Sequence, residues 1–320
     1  MYWPIKLFLV LIVLGILGGG IFFAWPYLPK FVGDKEKVAE NGDQSTNAPG
    51  AVAPAPGNSN SGTPAGSTKP PVALGKYAKN LEIAKSMIKS QPVKAQKIVE
   101  NILQDTSLEK YSDAWQQVAL VLSDVNRAIL FTDVPSPDKE TYIVESGNSL
   151  ARIAKRFMTT SELIAKAHRI NLENPIIRPG QTLRIWKGFW NIEVSKSKYM
   201  LLLNDGERLV MAYKIGIGKQ DRTPVGRFEI IDKVKEPTWY YGGQVIPFGD
   251  DNNPLGTRWM KLKGTEERTA TFEGYGIHGT WERDSIGGDK SNGCIRMLNE
   301  HVEELYDILP RRGIPVVLVP

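Results

Sequence analysis

Two residues near the C-terminal end of the chain carry side chains that could perform nucleophilic chemistry together. Cys294 is the only cysteine among 320 residues, and His278 lies sixteen residues before it. A free thiol has a pKa of roughly 8.5 and reacts as the thiolate, so near neutral pH it needs a base to take its proton. Gly279 and Gly293 adjoin the pair, and glycine lets backbone N–H groups approach a developing oxyanion. The pattern therefore indicates thiolate chemistry assisted by an imidazole.

Each residue also has a simpler interpretation. A lone cysteine is often a small buried hydrophobe, and a lone histidine is often structural. The chain contains three histidines, of which His168 and His301 fall in helix-like segments. Only His278 lies between a short apolar strand and a glycine. The combination favours a catalytic pair over two unrelated structural residues.

Two motifs surround the pair. Residues 277–280 read Ile-His-Gly-Thr, and residues 291–297 read Ser-Asn-Gly-Cys-Ile-Arg-Met. Their order and spacing resemble the active-site signature of the L,D-transpeptidase catalytic domain, over about residues 191–320. One position departs, because Asn292 stands where the family often has a histidine. Three further family-like segments agree with the match: 223–228, 254–260 and 313–318.

The resemblance implies a role for each residue of the site. Cys294 would be the nucleophile, His278 the base, and the Gly279 carbonyl would orient the imidazole. Backbone N–H groups near Gly293 and Cys294 would hold the oxyanion. Three more positions complete the oxyanion and substrate-binding region: Ser291, which shapes the turn, Asn292 and Arg296. Arg296 would favour a substrate carboxylate or the thiolate, or else form a purely structural ion pair.

The resemblance further implies acyl transfer on peptidoglycan. Cys294 would attack the carbonyl between the third residue of a stem tetrapeptide and the following D-alanine, forming a thioester. An amine of another stem peptide would then resolve the thioester into a cross-link. Such an enzyme would act in cell-wall organisation and cell shape, would be acylated by carbapenems, and would need no cofactor or metal.

Two rival functions use the same sequence features. An L,D-carboxypeptidase of the same fold would pass the acyl group to water instead of an amine. A non-catalytic wall-binding protein would keep the fold without the chemistry, although the presence of both Cys294 and His278 argues against it. A papain-like protease is disfavoured, because its cysteine precedes its histidine along the chain.

Composition limits the alternatives. The single cysteine excludes an intrachain disulfide and a cysteine-rich metal site. The net charge of +5 suits binding to an anionic polymer. The chain has no run of five or more like charges, so the sequence does not predict a nucleic-acid partner.

The N-terminal segment predicts a membrane anchor, residues 1–30. Residues 7–25 are uninterruptedly apolar and, at about 1.5 Å per residue, match a hydrocarbon core of about 30 Å. Bulky residues such as Trp25 argue against a cleaved signal peptide. We expect one pass through the bacterial cytoplasmic membrane, with the C-terminal domain in the periplasm or cell wall. Residues 31–71, rich in Pro, Gly, Ser and Ala, predict a disordered linker.

Two modules are predicted between the linker and the catalytic domain. Residues 72–133 show apolar residues at helical spacing and predict a helical module of three helices, which serves as a spacer or contacts another protein. Residues 141–186 predict a strand-helix-helix-strand (βααβ) module and resemble the LysM module, which binds N-acetylglucosamine-containing glycans. Three positions depart from that family: Asn148, Met158 and His168. The alternative is a module that only spaces the catalytic domain.

Residues 190–320 predict the catalytic domain, a mainly β sandwich. Short strands are expected at 191–196, 199–203, 209–217 and 228–231, and a last strand at 314–319. Residues 233–272 are expected to form a long irregular insertion. Asn299 is expected to cap a helix that buries an apolar stripe. The predicted whole is a multidomain chain with an α+β module, a small helical region and an N-terminal transmembrane helix.

Overall fold

The computed structural model describes residues 74–320, which belong to one compact unit, Thr68–Pro320. The predicted anchor at 1–30 and linker at 31–71 lie outside the described residues. Within the described part of the chain, no helix is both long enough and apolar enough to cross a bilayer. The anchor and the linker therefore stay predictions.

The helical module contains the three predicted helices: α1 (Ala78–Met87), α2 (Pro92–Leu103) and α3 (Asp113–Leu130). Pro92 is the first residue of α2, where a missing N–H breaks no helical hydrogen bond. Ser112 caps α3 by accepting a backbone N–H from its first turn. The prediction of three helices is confirmed.

The βααβ module is also confirmed. Its two strands pair antiparallel, and each helix begins at a hydroxyl cap, Ser149 or Thr160. The module has a hydrophobic core of its own. Its elements are β1 (Lys139–Ile143), α4 (Leu150–Arg156), α5 (Ser161–His168) and β2 (Thr182–Trp186).

The three residues of this module that depart from the LysM family lie in distinct local settings. Met158 has a φ of 52°, the left-handed region in which glycine is most at ease. Asn148 Oδ1 accepts hydrogen bonds from the Tyr142 hydroxyl and the Glu145 N–H, as a carboxylate oxygen would. His168 Nε2 accepts the Arg184 N–H at 3.1 Å and so ties α5 to β2.

The C-terminal domain is built on one eight-stranded sheet of order β13-β11-β10-β7-β14-β3-β4-β5. The mainly β fold is confirmed. The strands expected to form a sandwich are hydrogen-bonded into one continuous sheet, because β14 pairs with β7 on one side and with β3 on the other. Helix α3 packs on β5 at one edge of the sheet. The strands are β3 (Trp190–Ser195), β4 (Met200–Asp205), β5 (Arg208–Lys214), β6 (Ile217–Gly218), β7 (Gly226–Lys235), β8 (Trp239–Tyr241), β9 (Gln244–Ile246), β10 (Arg258–Gly264), β11 (Gly276–Thr280), β12 (Asp289–Ser291), β13 (Ile295–Leu298) and β14 (Ile314–Val319).

The predicted irregular insertion at 233–272 is wrong. This segment contains the end of β7, the hairpin β8–β9 and the whole of β10. Strand β10 lies inside the sheet, between β7 and β11. The turn residues Gly242 and Gly243 have φ values of 57° and 77°, as a tight hairpin turn requires.

The last helix, α6 (Asn299–Ile308), packs against β10, β11 and β13. Its predicted buried stripe is confirmed at Val302, Leu305 and Ile308. The predicted cap is wrong, because Leu298 occupies the cap position and makes no side-chain hydrogen bond to the helix. The Asn299 carboxamide instead accepts the backbone N–H of Thr257 at 3.1 Å, since it faces the neighbouring loop.

Candidate active site

Strands β11 and β13 bring the predicted catalytic residues to one face of the sheet. They are parallel neighbours, and His278 is directly opposite Arg296. Cys294 immediately precedes β13 and lies two residues before Arg296. Because side chains alternate between faces along a strand, residues two apart share a face. Cys294, Arg296 and His278 therefore project on the same side.

His278 is buried and held in one orientation. Its Nδ1 donates to the carbonyl of Gly279 at 2.6 Å, and its ring stacks on Trp259 with centroids 5.7 Å apart. With the proton on Nδ1, Nε2 is the unprotonated nitrogen that can accept a proton. The pKa of His278 is lowered to about 4, mainly by burial and in part by the charge of Arg296, against the opposing effect of the Gly279 carbonyl.

Cys294 is half-buried, and its Sγ lies 3.6 Å from the carbonyl oxygen of Gly274. Burial raises the pKa of the Cys294 thiol to about 11, although the backbone of Gly276 and the charge of Arg296 oppose the rise. Together with the low pKa of His278, this value makes both partners neutral at pH 7. If Cys294 is the nucleophile that the sequence predicts, its thiolate would form as His278 takes the proton during attack, and no ion pair would stand ready beforehand.

The turn that carries Cys294 is fixed by two hydroxyl groups. Ser291 Oγ donates to the Cys294 carbonyl at 2.7 Å and accepts the Gly293 N–H at 3.0 Å. From the other side, Thr223 Oγ1 donates to the Gly293 carbonyl and accepts the Gly218 N–H, both at 2.8 Å. These bonds fix the backbone on either side of the nucleophile.

Residue 293 can only be glycine, because its backbone conformation and its neighbours leave no room for a side chain. Its φ is 138°, and an added Cβ would lie 2.8 Å from the ring of Tyr275 and 3.2 Å from the Arg222 carbonyl. The Tyr275 ring consequently packs directly over the turn that carries the nucleophile.

Arg296 is 12% exposed and pairs with Glu282 through Nη1 at 2.7 Å. Among the described residues, its Nε is buried without a hydrogen-bond partner. The ion pair exists, and the charge of Arg296 also lowers the pKa values of both Cys294 and His278. A role of Arg296 toward the thiolate or a substrate carboxylate stays a prediction. Among residues 74–320, no group of three or more His, Cys, Asp or Glu side chains is arranged to hold a metal ion.

Both C-terminal modules are similar to known proteins. Residues 190–318 match the family described as the L,D-transpeptidase catalytic domain, and residues 142–186 match the LysM domain. Over 187 residues the chain is 34% identical to the Bacillus licheniformis protein YkuD, whose name describes it as an L,D-transpeptidase. The match covers 56% of this chain and 98% of that protein. The chain belongs to the L,D-transpeptidase family.

Other members of the L,D-transpeptidase family match a smaller part of the chain. YqjB of Bacillus subtilis is 43% identical over 101 residues, which are 31% of this chain and 53% of that protein. A solved L,D-transpeptidase from Mycobacterium smegmatis is 18% identical, with 44% of this chain and 64% of that chain covered and a TM-score of 0.32. The chain thus spans about half the length of YqjB and under two thirds of the mycobacterial structure.

The residues predicted from the L,D-transpeptidase signature occupy different parts of the site. The nucleophile, the base and Arg296 share one face, and Gly279 orients the base through its carbonyl. Ser291 shapes the turn, and Asn292 is exposed beside it. The sequence predicts two backbone N–H groups as oxyanion donors, those of Gly293 and Cys294. The Gly293 N–H already donates to Ser291 Oγ, so the Cys294 N–H is the remaining candidate. The catalytic roles themselves stay predictions.

Three residues that contact the site were not predicted from the sequence to belong to it. Trp259 stacks on His278 because β10 and β11 pair these two residues directly. Glu282 pairs with Arg296, and Asn299 contacts the loop before β10. Trp259 lies in a family-like segment, but each of these contacts depends on strand register or tertiary packing that no spacing along the chain reveals.

Proposed function

We propose that this L,D-transpeptidase-family protein cross-links peptidoglycan stem peptides through a thioester on Cys294. The observation that carries the proposal is the strand register that sets the oriented, buried His278 opposite Arg296, with Cys294 directly before β13 and the charge of Arg296 acting on both side chains. A neutral thiol and a neutral imidazole suit attack on a carbonyl with simultaneous transfer of the thiol proton to Nε2.

The proposed reaction has two halves. In the first, Cys294 Sγ attacks the carbonyl of the third stem residue, His278 takes the thiol proton, and the same proton passes to the departing D-alanine amine. In the second, the amine of another stem peptide attacks the thioester, and Cys294 leaves with the proton that His278 has taken from that amine. The Cys294 N–H is the proposed oxyanion donor in both halves.

The remaining parts of the chain support a position at the cell wall. The LysM domain supports binding of the glycan strand. The apolar run at residues 7–25 supports an anchor in the cytoplasmic membrane, with the catalytic domain outside. Both are proposals, and fractionation of cells with external protease digestion tests the second. Cleavage of the C-terminal domain in intact spheroplasts is expected; full protection would contradict this placement.

The test of the catalytic proposal uses the full chain and purified disaccharide-tetrapeptide, with products read by mass spectrometry. A dimer that has lost one D-alanine is expected with the natural protein and not with Cys294→Ala or His278→Ala. Ser86→Ala is the matched control, because Ser86 is exposed on α1, far along the chain from the site. Tripeptide without dimer would shift the function to an L,D-carboxypeptidase. Unchanged tetrapeptide with retention on glycan would leave a binding protein.

A further inference from the structure

The carboxamide of Asn299 joins two segments of the chain. Asn299 is the first residue of α6, and its Oδ1 accepts the backbone N–H of Thr257 at 3.1 Å. Thr257 lies directly before β10, in a different segment of the chain. The side chain therefore connects the start of α6 to the loop that enters β10.

Two glycines surround the same oxygen. A Cβ at Gly279 would lie 2.1 Å from Asn299 Oδ1, and a Cβ at Gly256 would lie 2.3 Å from it. Neither distance is possible for a real side chain, so both backbones approach the oxygen as closely as glycine permits. Gly256 also has a φ of 62°. The oxygen is thus in contact with two backbone segments and hydrogen-bonded to the residue after Gly256.

These two segments carry the backbone carbonyls that act on the catalytic imidazole. Gly279 supplies the carbonyl that accepts from His278 Nδ1 at 2.6 Å. Leu255, which precedes Gly256, supplies a second carbonyl that interacts with the ring and raises its pKa. Asn299 Oδ1 consequently contacts Gly279, whose carbonyl orients the ring, and Gly256, which follows Leu255.

We propose that Asn299 is a positioning residue for His278: its Oδ1 holds the 255–257 loop against Gly279, and so keeps the Gly279 carbonyl in line with Nδ1. A fixed Nδ1–H leaves Nε2 unprotonated and ready to accept the thiol proton. Without Asn299 Oδ1, both glycine segments can shift, and with them the ring. The inference deepens the proposed function and rests on it only for its kinetic readout.

The kinetic test compares Asn299→Ala and Asn299→Asp in the full chain, with the cross-linking assay as readout. Asn299→Ala is expected to lower kcat about 10- to 100-fold with a much smaller change in KM, since a small displacement of a catalytic group has effects of this size. Asn299→Asp keeps the acceptor oxygen and is expected to recover most of kcat. Its negative charge near the ring is expected to move the acid limb of the pH profile to higher pH.

The second readout needs no substrate. In ¹⁵N NMR of the histidine-labelled full chain, His278 is expected to show a protonated Nδ1 and an unprotonated Nε2, assigned with His278→Ala. Asn299→Ala is expected to lose this single tautomer, and Asn299→Asp to keep its Nδ1 proton. Asn126→Ala, which removes a buried carboxamide from α3, is the matched control and is expected to lower stability without changing the tautomer.

Three results would overturn the inference: an unchanged His278 tautomer in Asn299→Ala, equal loss in Asn126→Ala, or loss in Asn299→Asp as complete as in Asn299→Ala. If the natural protein fails to cross-link peptides but the tautomer responds as expected, the proposed function fails and the positioning role stands.

Discussion

The chemistry of the site depends on the protonation of two side chains, the buried imidazole of His278 and the half-buried thiol of Cys294. His278 and Cys294 both favour their neutral forms, because burial penalises the imidazolium and the thiolate alike. A preformed ion pair of the kind that activates many cysteine enzymes is therefore not expected in the free protein. We therefore expect the Cys294 thiol to react slowly with reagents in solution and to become reactive when a substrate carbonyl binds beside it.

Alkylation of Cys294 by iodoacetamide tests this account. The raised pKa of the thiol, about 11, means that the thiolate is the minor form throughout the neutral range. The rate is expected to rise about tenfold per pH unit between pH 7 and pH 10 without reaching a plateau. Mass spectrometry of the single cysteine measures the rate directly. A rate that is already maximal at pH 7 would show an ion pair and contradict the account.

The sequence was informative about the residue types in the site and silent about their surroundings. Cys294 and His278 could be predicted as a pair because the motifs at residues 277–280 and 291–297 resemble the L,D-transpeptidase signature. The Arg296–Glu282 ion pair left two interpretations open in the sequence, because only the fold brings the two side chains together. The error at Asn299 had the same origin, since its partner lies 42 residues away.

At the scale of elements, α3 protects an edge of the catalytic sheet. Strand β5 is the last strand of the ladder, and an open edge invites pairing with other chains. Ser123 Oγ accepts the Ala212 N–H at 2.7 Å, and its own proton is shared between the carbonyls of Ala119 at 2.9 Å and Ala212 at 3.1 Å. Asn126 Nδ2 donates to the Val210 carbonyl at 2.8 Å. The helical module is thus part of the catalytic fold, and its hydrophobic core is continuous with that of the sheet.

Ser123→Ala and Asn126→Ala are each expected to lower the free energy of unfolding by about 1–3 kcal/mol, because each leaves a buried backbone group of β5 unpaired. Chemical denaturation of the full chain measures the loss. Ser86→Ala removes an exposed serine hydroxyl from α1 and is expected to change stability by no more than about 0.5 kcal/mol. Equal effects of the α1 and α3 substitutions would contradict the protective role of α3.

Elements with a strong local pattern could be predicted, and those without one could not. The helices of the helical module and the βααβ order follow from periodicity and hydroxyl caps. The sequence pattern predicts an irregular insertion where β10 lies. Burial along β10 does alternate, with lysines at its exposed positions, but long loops flank the strand. Its place between β7 and β11 comes from long-range pairing.

At the scale of the whole molecule, α6 connects the three modules described. Glu304 accepts from Arg127 of α3, with Nη2 to Oε2 at 3.0 Å. Asp307 pairs with Lys166 of α5, and its carbonyl accepts from the Thr160 hydroxyl. The same helix begins beside Gly279 in the active site. The sequence predicted separate modules, and the side-chain contacts that join them could not be read from any one segment.

The Lys166–Asp307 pair is expected to respond unequally to loss of either partner. The Asp307 side chain is 8% exposed, whereas that of Lys166 is 47% exposed. Lys166→Ala leaves a buried carboxylate unpaired and is expected to cost about 1–3 kcal/mol of unfolding free energy. Asp307→Asn leaves a lysine that can turn to water and is expected to cost less. Thermal unfolding of the full chain measures both, and a larger loss with Asp307→Asn would contradict this reading of burial.

The central claim is that Cys294 carries the acyl group of a stem peptide, and that His278 takes the thiol proton as the thioester forms. The most direct measurement is the intact mass of the full chain, quenched in acid within seconds of mixing with disaccharide-tetrapeptide, followed by peptide mapping. The account predicts an adduct of the donor minus D-alanine on the peptide containing Cys294, formed far more slowly in His278→Ala and absent in Cys294→Ala. An adduct mapped to another residue, or formed at the natural rate without His278, would contradict it.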